Sequence, residues 1–541
     1  MATVCCFCSV IAFAQLLAFP GAEGFGKYTS GGRGGKVVYV TSLEDDANGE
    51  IEGTLRWAMK QYPDEPLTVC FAVTGEIRLV KDLRLNRRSN FTWAGQTAPG
   101  VGIVITHNKV NFGGSENFIV RNIRFRVGNE DANGAFLNAN AVGAENCANF
   151  IFDHCDFGWS SEENMNAFDS HFFTIQYCIV HEGLYNGGNP KGKRGYGCQW
   201  GGSPATYHHN LLTNNLKRSC RFNGARNNDN VVYVDYINNV VYNYEGGSNG
   251  CYGGECNSKI DSFNGYNAAH EVNFIHNYYK PTANTKKERF FFQSDYARDG
   301  ATSWTPSQWY VAGNIMEGSE AITEDNWQGV KVVTYTKEQI RVDTLIRPRL
   351  NYYNWISEDS VQGRYDFDAL AYAVGAFETA QEAFETVLDT VGAFPRDHVE
   401  LRLVEEARNG TLTYTGSKEN KQGWIDSPMD AEGFYDYTVV EALADTDRDG
   451  MPDEWESANG CNPTIPDNNA LHESGYTMLE MYLDYTMTHK APMDDGYQEP
   501  HGVQNTGYSI QTQKILRDGQ IYIQRGANTY TLQGQVIEAG K

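Results

Sequence analysis

The short run HHNLL at residues 208–212 returns, altered, as INNVV at 237–241, IHNYY at 275–279 and AGNIM at 312–316. Working back towards the N-terminus, the same pattern reads as QYCIV at 176–180, DHCDF at 153–157 and RNIRFR at 121–126. Each run is β-type and is ended by a loop with Asn, Gly or charged residues. One position lines up throughout: Ile123, Cys155, Cys178, Asn210, Asn239, Asn277 and Asn314, at successive spacings of 32, 23, 32, 29, 38 and 37. A β-sandwich shows turn signals every ~8–12 residues, so it does not fit. A solenoid does, because one coil needs about this length and loops of unequal size absorb the variation. Stacked coils put equivalent positions in register, so the four Asn can bond one another and satisfy turn groups that burial would orphan. The fold class expected is all-β: a parallel β-helix, with a flanking helical segment and a small C-terminal β appendage.

The chain has 541 residues, 41% hydrophobic content and a formal net charge of -24. That supports a large core and argues against general nucleic-acid or anionic-membrane binding, which need broad positive potential. Within this acidic chain, the stretch from Gly183 to Asn228 contains no Asp or Glu but carries Lys191, Lys193, Arg194, Lys217, Arg218, Arg221 and Arg226. Acidic residues crowd the segment just before it. The reversal predicts a basic floor for an anionic ligand beside a carboxylate-rich, cation-binding edge; the alternative is a solvated basic face.

The opening MATVCCFCSVIAFAQLLAFPG reads as a secretory apolar region with a small-x-small site at Ala12-Phe13-Ala14, although a basic leader end is missing. No later stretch is apolar for long enough to span a bilayer. The expected divisions are a signal peptide at 1–18, the β-helix at 19–410, an extension at 411–490 and a linker with a β tail at 491–541. Three of the twelve Cys fall in the leader, leaving an odd number. Cys251 and Cys256 are close enough to close a small loop, and the others read as buried packing residues. Ala371–Val404 changes character. Its first part, to Ala393, has helical spacing and stops at Gly392 with Pro395 beyond, predicting helical structure packed against the end of the solenoid. The last stretch alternates like two or three small strands.

One local motif stands apart: Asp445, Asp447, Asp449, Gly450, Asp453 and Glu456 have the spacing of an EF-hand-type calcium loop. Met451 is placed to offer its backbone carbonyl. Nothing in the loop is positioned for chemistry, so calcium there is expected to be structural.

Several blocks resemble the pectate lyases of polysaccharide lyase family 1: AFPGAEGFG (18–26), GTLRWAM (53–59), FTWAGQTAPGVGI (91–103), RNIRFRVG (121–128), FDHCDFGWSSEEN (152–164), QYCIVHEGL (176–184) and KRSCRFNG (217–224). The resemblance spans roughly 19–410 and is specific only when the blocks are taken together. It implies a right-handed parallel β-helix and calcium-assisted β-elimination of 1,4-linked galacturonan, an acidic polysaccharide; the apolar leader adds secretion, and a monomer is expected. In that reaction the C5 proton lies α to a carboxylate, and cations stabilise the charge that its removal creates. The resemblance assigns Arg218 as base and Lys191 as the grip on the substrate carboxylate, with Lys193 as the fallback and Arg221 and Arg194 in support. A guanidinium of pKa above ~12 is a poor base unless its surroundings disfavour the charge.

The calcium positions depart from the family pattern. They fall on Asn140, on Glu162 or Glu163, and on Asn166, so two expected carboxylates are amides. Amides coordinate hard cations but add no charge, which predicts weaker calcium dependence. Cys220 and Asn223 replace a Pro and an Arg of the pattern. Asp153-His154 matches a family pair, yet such a pair is more often a satisfied structural network, and the same holds for His208 and His209. The tail resembles sorting domains of secreted carbohydrate-active enzymes, which would hold the protein at the cell surface. The alternatives are a lyase for methyl-esterified pectin, a galacturonan hydrolase, for which grouped Asp pairs are lacking, and a galacturonan-binding protein without activity.

Overall fold

A computed structural model describes residues 15–347 and 377–496, with short gaps at 132, 225–230, 247–249, 255–261, 264–265, 268, 295–305, 334, 432 and 490–494, and four strands between 512 and 538. Three long sheets, of ten, nine and nine strands, are each linked coil to coil by parallel pairing. The chain runs through them in turn. Ala148–Asp153 lies in sheet 1, Asp156–Ser160 in sheet 2 and Glu163–Phe168 in sheet 3, and the next coil repeats the order with His171–Gln176, Ile179–His181 and Tyr196–Trp200. This is the right-handed parallel β-helix expected.

The turn from sheet 1 to sheet 2 carries the column read from the sequence. The residue just before each column position holds a left-handed backbone: Asn122 (φ 60°), His154 (52°), Tyr177 (51°), His209 (52°), Asn238 (55°), His276 (52°) and Gly313 (68°). Only a turn repeated in every coil would impose one rare conformation on seven different positions. Inside it the Asn side chains bond in series. Asn210 N and Nδ2 donate to Asn239 Oδ1 (3.1 and 3.0 Å), Asn239 to Asn277 Oδ1 (2.9 and 3.2 Å), and Asn277 to Asn314 Oδ1 (2.8 and 2.9 Å). The series continues into Cys178, whose N–H donates to Asn210 Oδ1 (2.9 Å), and ends on Asn326 Oδ1, which accepts from Asn314 N (2.8 Å). Asn326 escapes the sequence pattern because it belongs to the short helix Asn326–Gly329 rather than to another coil. Inward-facing rings stack from coil to coil as well: Phe91, Phe118, Phe150 and Phe173 have centroid separations of 5.2, 4.8 and 4.4 Å, each contact worth ~0.5–1.5 kcal/mol beyond its burial.

The helical segment corrects the sequence expectation about its place. Helices Ala380–Thr390 and His398–Asn409 pack along the flank of sheet 2, not against an end of the solenoid. Phe384, Val387, Leu388, Val399 and Leu403 bury against Ile179, Leu211, Val240 and Tyr242, apolar residues of three successive coils. Residues 371–376 of that segment lie outside the described residues.

The cysteines of the coils are buried free thiols, as expected of packing residues. Cys251 is among them; Cys256, its suggested partner, lies outside the described residues. The chain divides into two compact units at Tyr497. In the second, four antiparallel strands form one sheet, one or two more than the alternation suggested. No described helix is long and apolar enough to cross a membrane.

Candidate active site

Sheet 3 assembles the basic stretch. Parallel register lays Asn111, Gly143, Asn166, Gln199, Arg221, Tyr252 and Gln293 side by side on successive strands. Their strand neighbours Met165, Ala167, Cys198, Trp200, Cys220, Phe222 and Phe292 belong to the hydrophobic core. Since side chains alternate along a strand, the row itself faces outward, and a residue that the sequence separates by a whole coil becomes an immediate neighbour.

Arg218 precedes the strand Arg221–Phe222, held at φ 56°. Its guanidinium donates to Glu163 Oε1, donates from Nε to the Tyr252 hydroxyl (3.1 Å), and lies 4.0 Å over the Tyr196 ring. Burial lowers its pKa, assisted by the neighbouring Arg221 charge and opposed by Tyr252. The side chain nevertheless keeps 15% exposure. Arg221 is more deeply buried; its Nη1 donates to Gln199 Oε1 (3.3 Å) and its guanidinium stands 5.5 Å from the Tyr252 ring centre.

Three further cations, Lys191, Lys193 and Arg194, divide between two carboxylates. Glu162 accepts from Arg194 Nε (2.8 Å), Asn189 Nδ2 (2.9 Å) and Lys191 Nζ (3.4 Å). Lys191 itself is mostly in solvent, with 55% of its side chain exposed. Lys193 is drawn away to Glu419 Oε2 (2.7 Å), whose bond raises the lysine pKa. The acid-free stretch therefore finds its counter-charges on other coils and on the segment after the helices.

The cation edge is sorted in the same way. Glu163 and Glu162 separate, one to Arg218 and the other to Arg194, Lys191 and Asn189. Asn140 Oδ1 accepts the Glu163 backbone N–H (3.2 Å). Asn166 is 4% exposed, and its Oδ1 has no hydrogen-bond partner among the described residues. An orphaned buried acceptor of this kind suits a hard cation, so Asn166 with Glu163 and Asn140 fits the group that the resemblance implies better than Glu162 does. Beside Asn166, Lys109 Nζ lies 2.9 Å from where a Cβ on Gly143 would stand. Sequence reasoning missed Tyr196, Tyr252, Gln199 and Lys109. The coil period was the available signal, since Tyr196 pairs with Glu163 and Gln199 with Asn166 one coil on.

Asp153 and His154 stand apart from this site, at the turn into sheet 2. Asp153 accepts from Arg121 Nε (2.8 Å) and Gln176 Nε2 (2.7 Å); against its burial, the adjacent His154 together with these two contacts holds its carboxyl below the usual range. His154 occupies the left-handed turn position, and buried His208 and His209 face each other at 2.8 Å beside it in the same stack. All four serve the turn.

A long parallel solenoid whose outer face carries a row of Arg, Tyr and amide side chains over a hydrophobic core defines a β-helix protein. No family model matches the chain. The chain is 30% identical over 479 residues to the probable pectate lyase C of Aspergillus terreus, covering 87% of this chain and 94% of that protein. It is 29% identical over 482 residues to the probable pectate lyase C of Aspergillus flavus, with the same coverage. Among solved structures, the cedar-pollen allergen jun a 1 aligns with 69% of this chain and 92% of its own at 15% identity and a TM-score of 0.42. The chain belongs to the pectate lyase family and is a polysaccharide lyase.

Proposed function

We propose that the protein is an exported pectate lyase that cleaves 1,4-linked galacturonan by β-elimination, with Arg218 as the base. The observation that carries this reading is the setting of Arg218. It is a buried guanidinium with lowered pKa, next to a second Arg, and still open to solvent along one edge. Those are the conditions under which an Arg gives up a proton more readily. Tyr196 and Tyr252 hold its plane and Arg221 keeps the surroundings cationic, so the side chain is oriented before substrate arrives. Arg194 and Lys191 form a second cationic point nearby, of which the exposed Lys191 is the better placed to meet a sugar carboxylate.

Glu163, Asn166 and Asn140 are the residues that would hold a calcium ion. Bound there, the ion would withdraw charge from the substrate carboxylate and acidify the C5 proton. Glu163 has two competing partners in this scheme, the ion and Arg218. Drawing it away from Arg218 removes a counter-charge and favours the neutral guanidine further.

A second reading, action on methyl-esterified pectin without a metal, is favoured by the position of Lys109 over Gly143 and by the amides at 140 and 166. One assay separates the two. Polygalacturonate and methylated pectin are each incubated with the protein, with and without chelator, and the ultraviolet absorbance of the unsaturated product is followed. Calcium-stimulated absorbance on polygalacturonate is expected. Chelator-insensitive absorbance confined to methylated pectin selects the second reading. Binding without absorbance on either substrate sinks both.

A further inference from the structure

The acidic loop at Asp445–Glu456 lies away from the row on sheet 3, and its contents differ from the sequence expectation. Carboxylate oxygens of Asp445, Asp447 and Asp449 come within 4.8 Å of one another, and so do those of Asp449, Glu456 and Asp467. Asp449 belongs to both groups and joins them. Asp467 is absent from the linear motif. It arrives because Asp449 Oδ2 accepts the backbone N–H groups of Asp467 (3.0 Å) and Asn468 (2.9 Å), folding the following segment back onto the loop. Asp453, expected at the ninth position, is in neither group; its carboxylate accepts from Thr446 N and Oγ1, both at 2.7 Å, and braces the loop from outside.

Glu456 supplies an independent sign of a ligand. It is 0% exposed, and neither carboxylate oxygen has a hydrogen-bond partner among the described residues. A buried carboxylate without a donor is costly, and buried charges are normally paired or metal-bound. Two groups of oxygen-bearing side chains that share Asp449, with Gly450 at φ 104° allowing the sharp turn, suit the hard, all-oxygen shell of calcium.

The same loop is tied to the first coils of the solenoid. The Tyr39 hydroxyl, on the strand Lys36–Val40, donates to Asp445 Oδ2. Met451 is fully buried in a cluster with Cys70 and Ala94 of the first strands of sheet 1 and with Leu479, Tyr482 and Leu483 of the helix Met478–His489. Asn469 Nδ2 donates to Gly35 O (3.0 Å), and Arg33 pairs with Glu480 at 2.6 Å. Terminal coils of a solenoid have a neighbour on one side only and need such a cover.

We propose that Asp445, Asp447, Asp449, Glu456 and Asp467 bind one calcium ion, and that this ion clamps the segment after the helices onto the first coils of the β-helix. The site is separate from the cation edge at Asn166, and the proposal stands whether or not the lyase reading of that edge holds. Loop folding and coil packing are linked because Asp445 serves the ion and Tyr39 at once, while Met451, between two ligand positions, serves the core.

Terbium tests the site in the full-length protein, since Trp455 sits next to Glu456 and would sensitise its emission. Saturable emission displaced by calcium is expected. Glu456→Gln and Asp467→Asn should each weaken binding by about tenfold or more, and Asp453→Asn by about twofold at most. Hydrogen exchange reads the clamp: calcium should slow exchange at Lys36–Val40 and Leu67–Phe71, and Glu456→Gln should abolish that protection while its circular dichroism stays that of the parent. Unchanged terbium affinity in both ligand variants would overturn the site. Binding with no protection of these two strands would overturn the clamp. Turnover of Glu456→Gln at saturating calcium should match the parent, and a folded but inactive variant would show that the ion belongs to the catalytic centre instead.

Discussion

Two regions of this molecule bring Arg and carboxylates together, on different faces of the solenoid. On sheet 2, Arg124 and Arg126 meet Glu400, Asp397 and Asp156 at 2.6–2.9 Å, with every partner at 0–1% side-chain exposure. Arg124 also donates to the carbonyls of Val101, Ala393 and Pro395, and Tyr437 donates to Asp397 (2.7 Å). On sheet 3, Arg218 has one carboxylate partner, two tyrosines and an open edge. The first set is sealed under the helices and pins His398–Asn409 to the coils, and its Arg pKa values rise. The second lowers its Arg pKa and leaves a path for a ligand. Coordination and cover, more than residue type, separate a structural arginine from the one proposed to react.

The largest effect expected comes from opening the sealed set. Arg126→Ala leaves Asp156 and Asp397 buried without their shared cation and should destabilise the protein by about 3–5 kcal/mol in chemical denaturation. A variant as stable as the parent would show that the sealed network adds nothing. Next, Arg218→Ala should lower turnover on polygalacturonate on the order of 10³-fold and lose less stability than Arg126→Ala, because its site is already partly solvated. An active Arg218→Ala would refute the assigned base.

The smallest effect is also the sharpest contrast, because the two regions should respond to alkali in opposite directions. Turnover should climb with pH as the depressed guanidinium of Arg218 loses its proton. In Arg221→Gln the alkaline limb should move to higher pH, since a like charge that favoured the neutral form is gone. In the sealed region Asp156 and Glu182 outweigh the burial of His181 and raise its pKa to about 9 from 6.5. A folded-state pKa above the unfolded value gives stability that is complete below about pH 6.5 and is lost as pH rises through about 9. Melting temperature should therefore fall over that window as activity rises, and His181→Gln should flatten the fall. A limb that does not move, or a melting curve unaffected by His181, removes the corresponding half of the contrast.

How much could be read from the sequence differs between the fold and the site. The column from Ile123 to Asn314 was legible because a solenoid repeats one turn, and a repeated turn imposes one polar requirement at one position in each coil. Its last member, Asn326, was not, since a side chain from a helix does the same work outside the period. At the site, the basic stretch was visible as composition, and Arg218 as part of KRSCRFNG. Their partners were not. Glu162 and Glu163 are adjacent in the chain yet bind different cations, and no spacing rule tells which of them takes Arg218.

The sequence by itself determined the coil period, the asparagine column, the acid-free stretch and the spacing of the acidic loop. Each depends on residues close in sequence or on a repeat, where local geometry sets the outcome. Only the tertiary structure decided that the helices flank sheet 2, that Asn166 Oδ1 is left without a donor, that Glu419 takes Lys193 and that Asp467 completes the acidic cluster. These contacts join residues separated by whole coils or by the length of the solenoid, through loops of unequal length. Their meeting follows from how the coils stack, a property of the packed molecule as a whole.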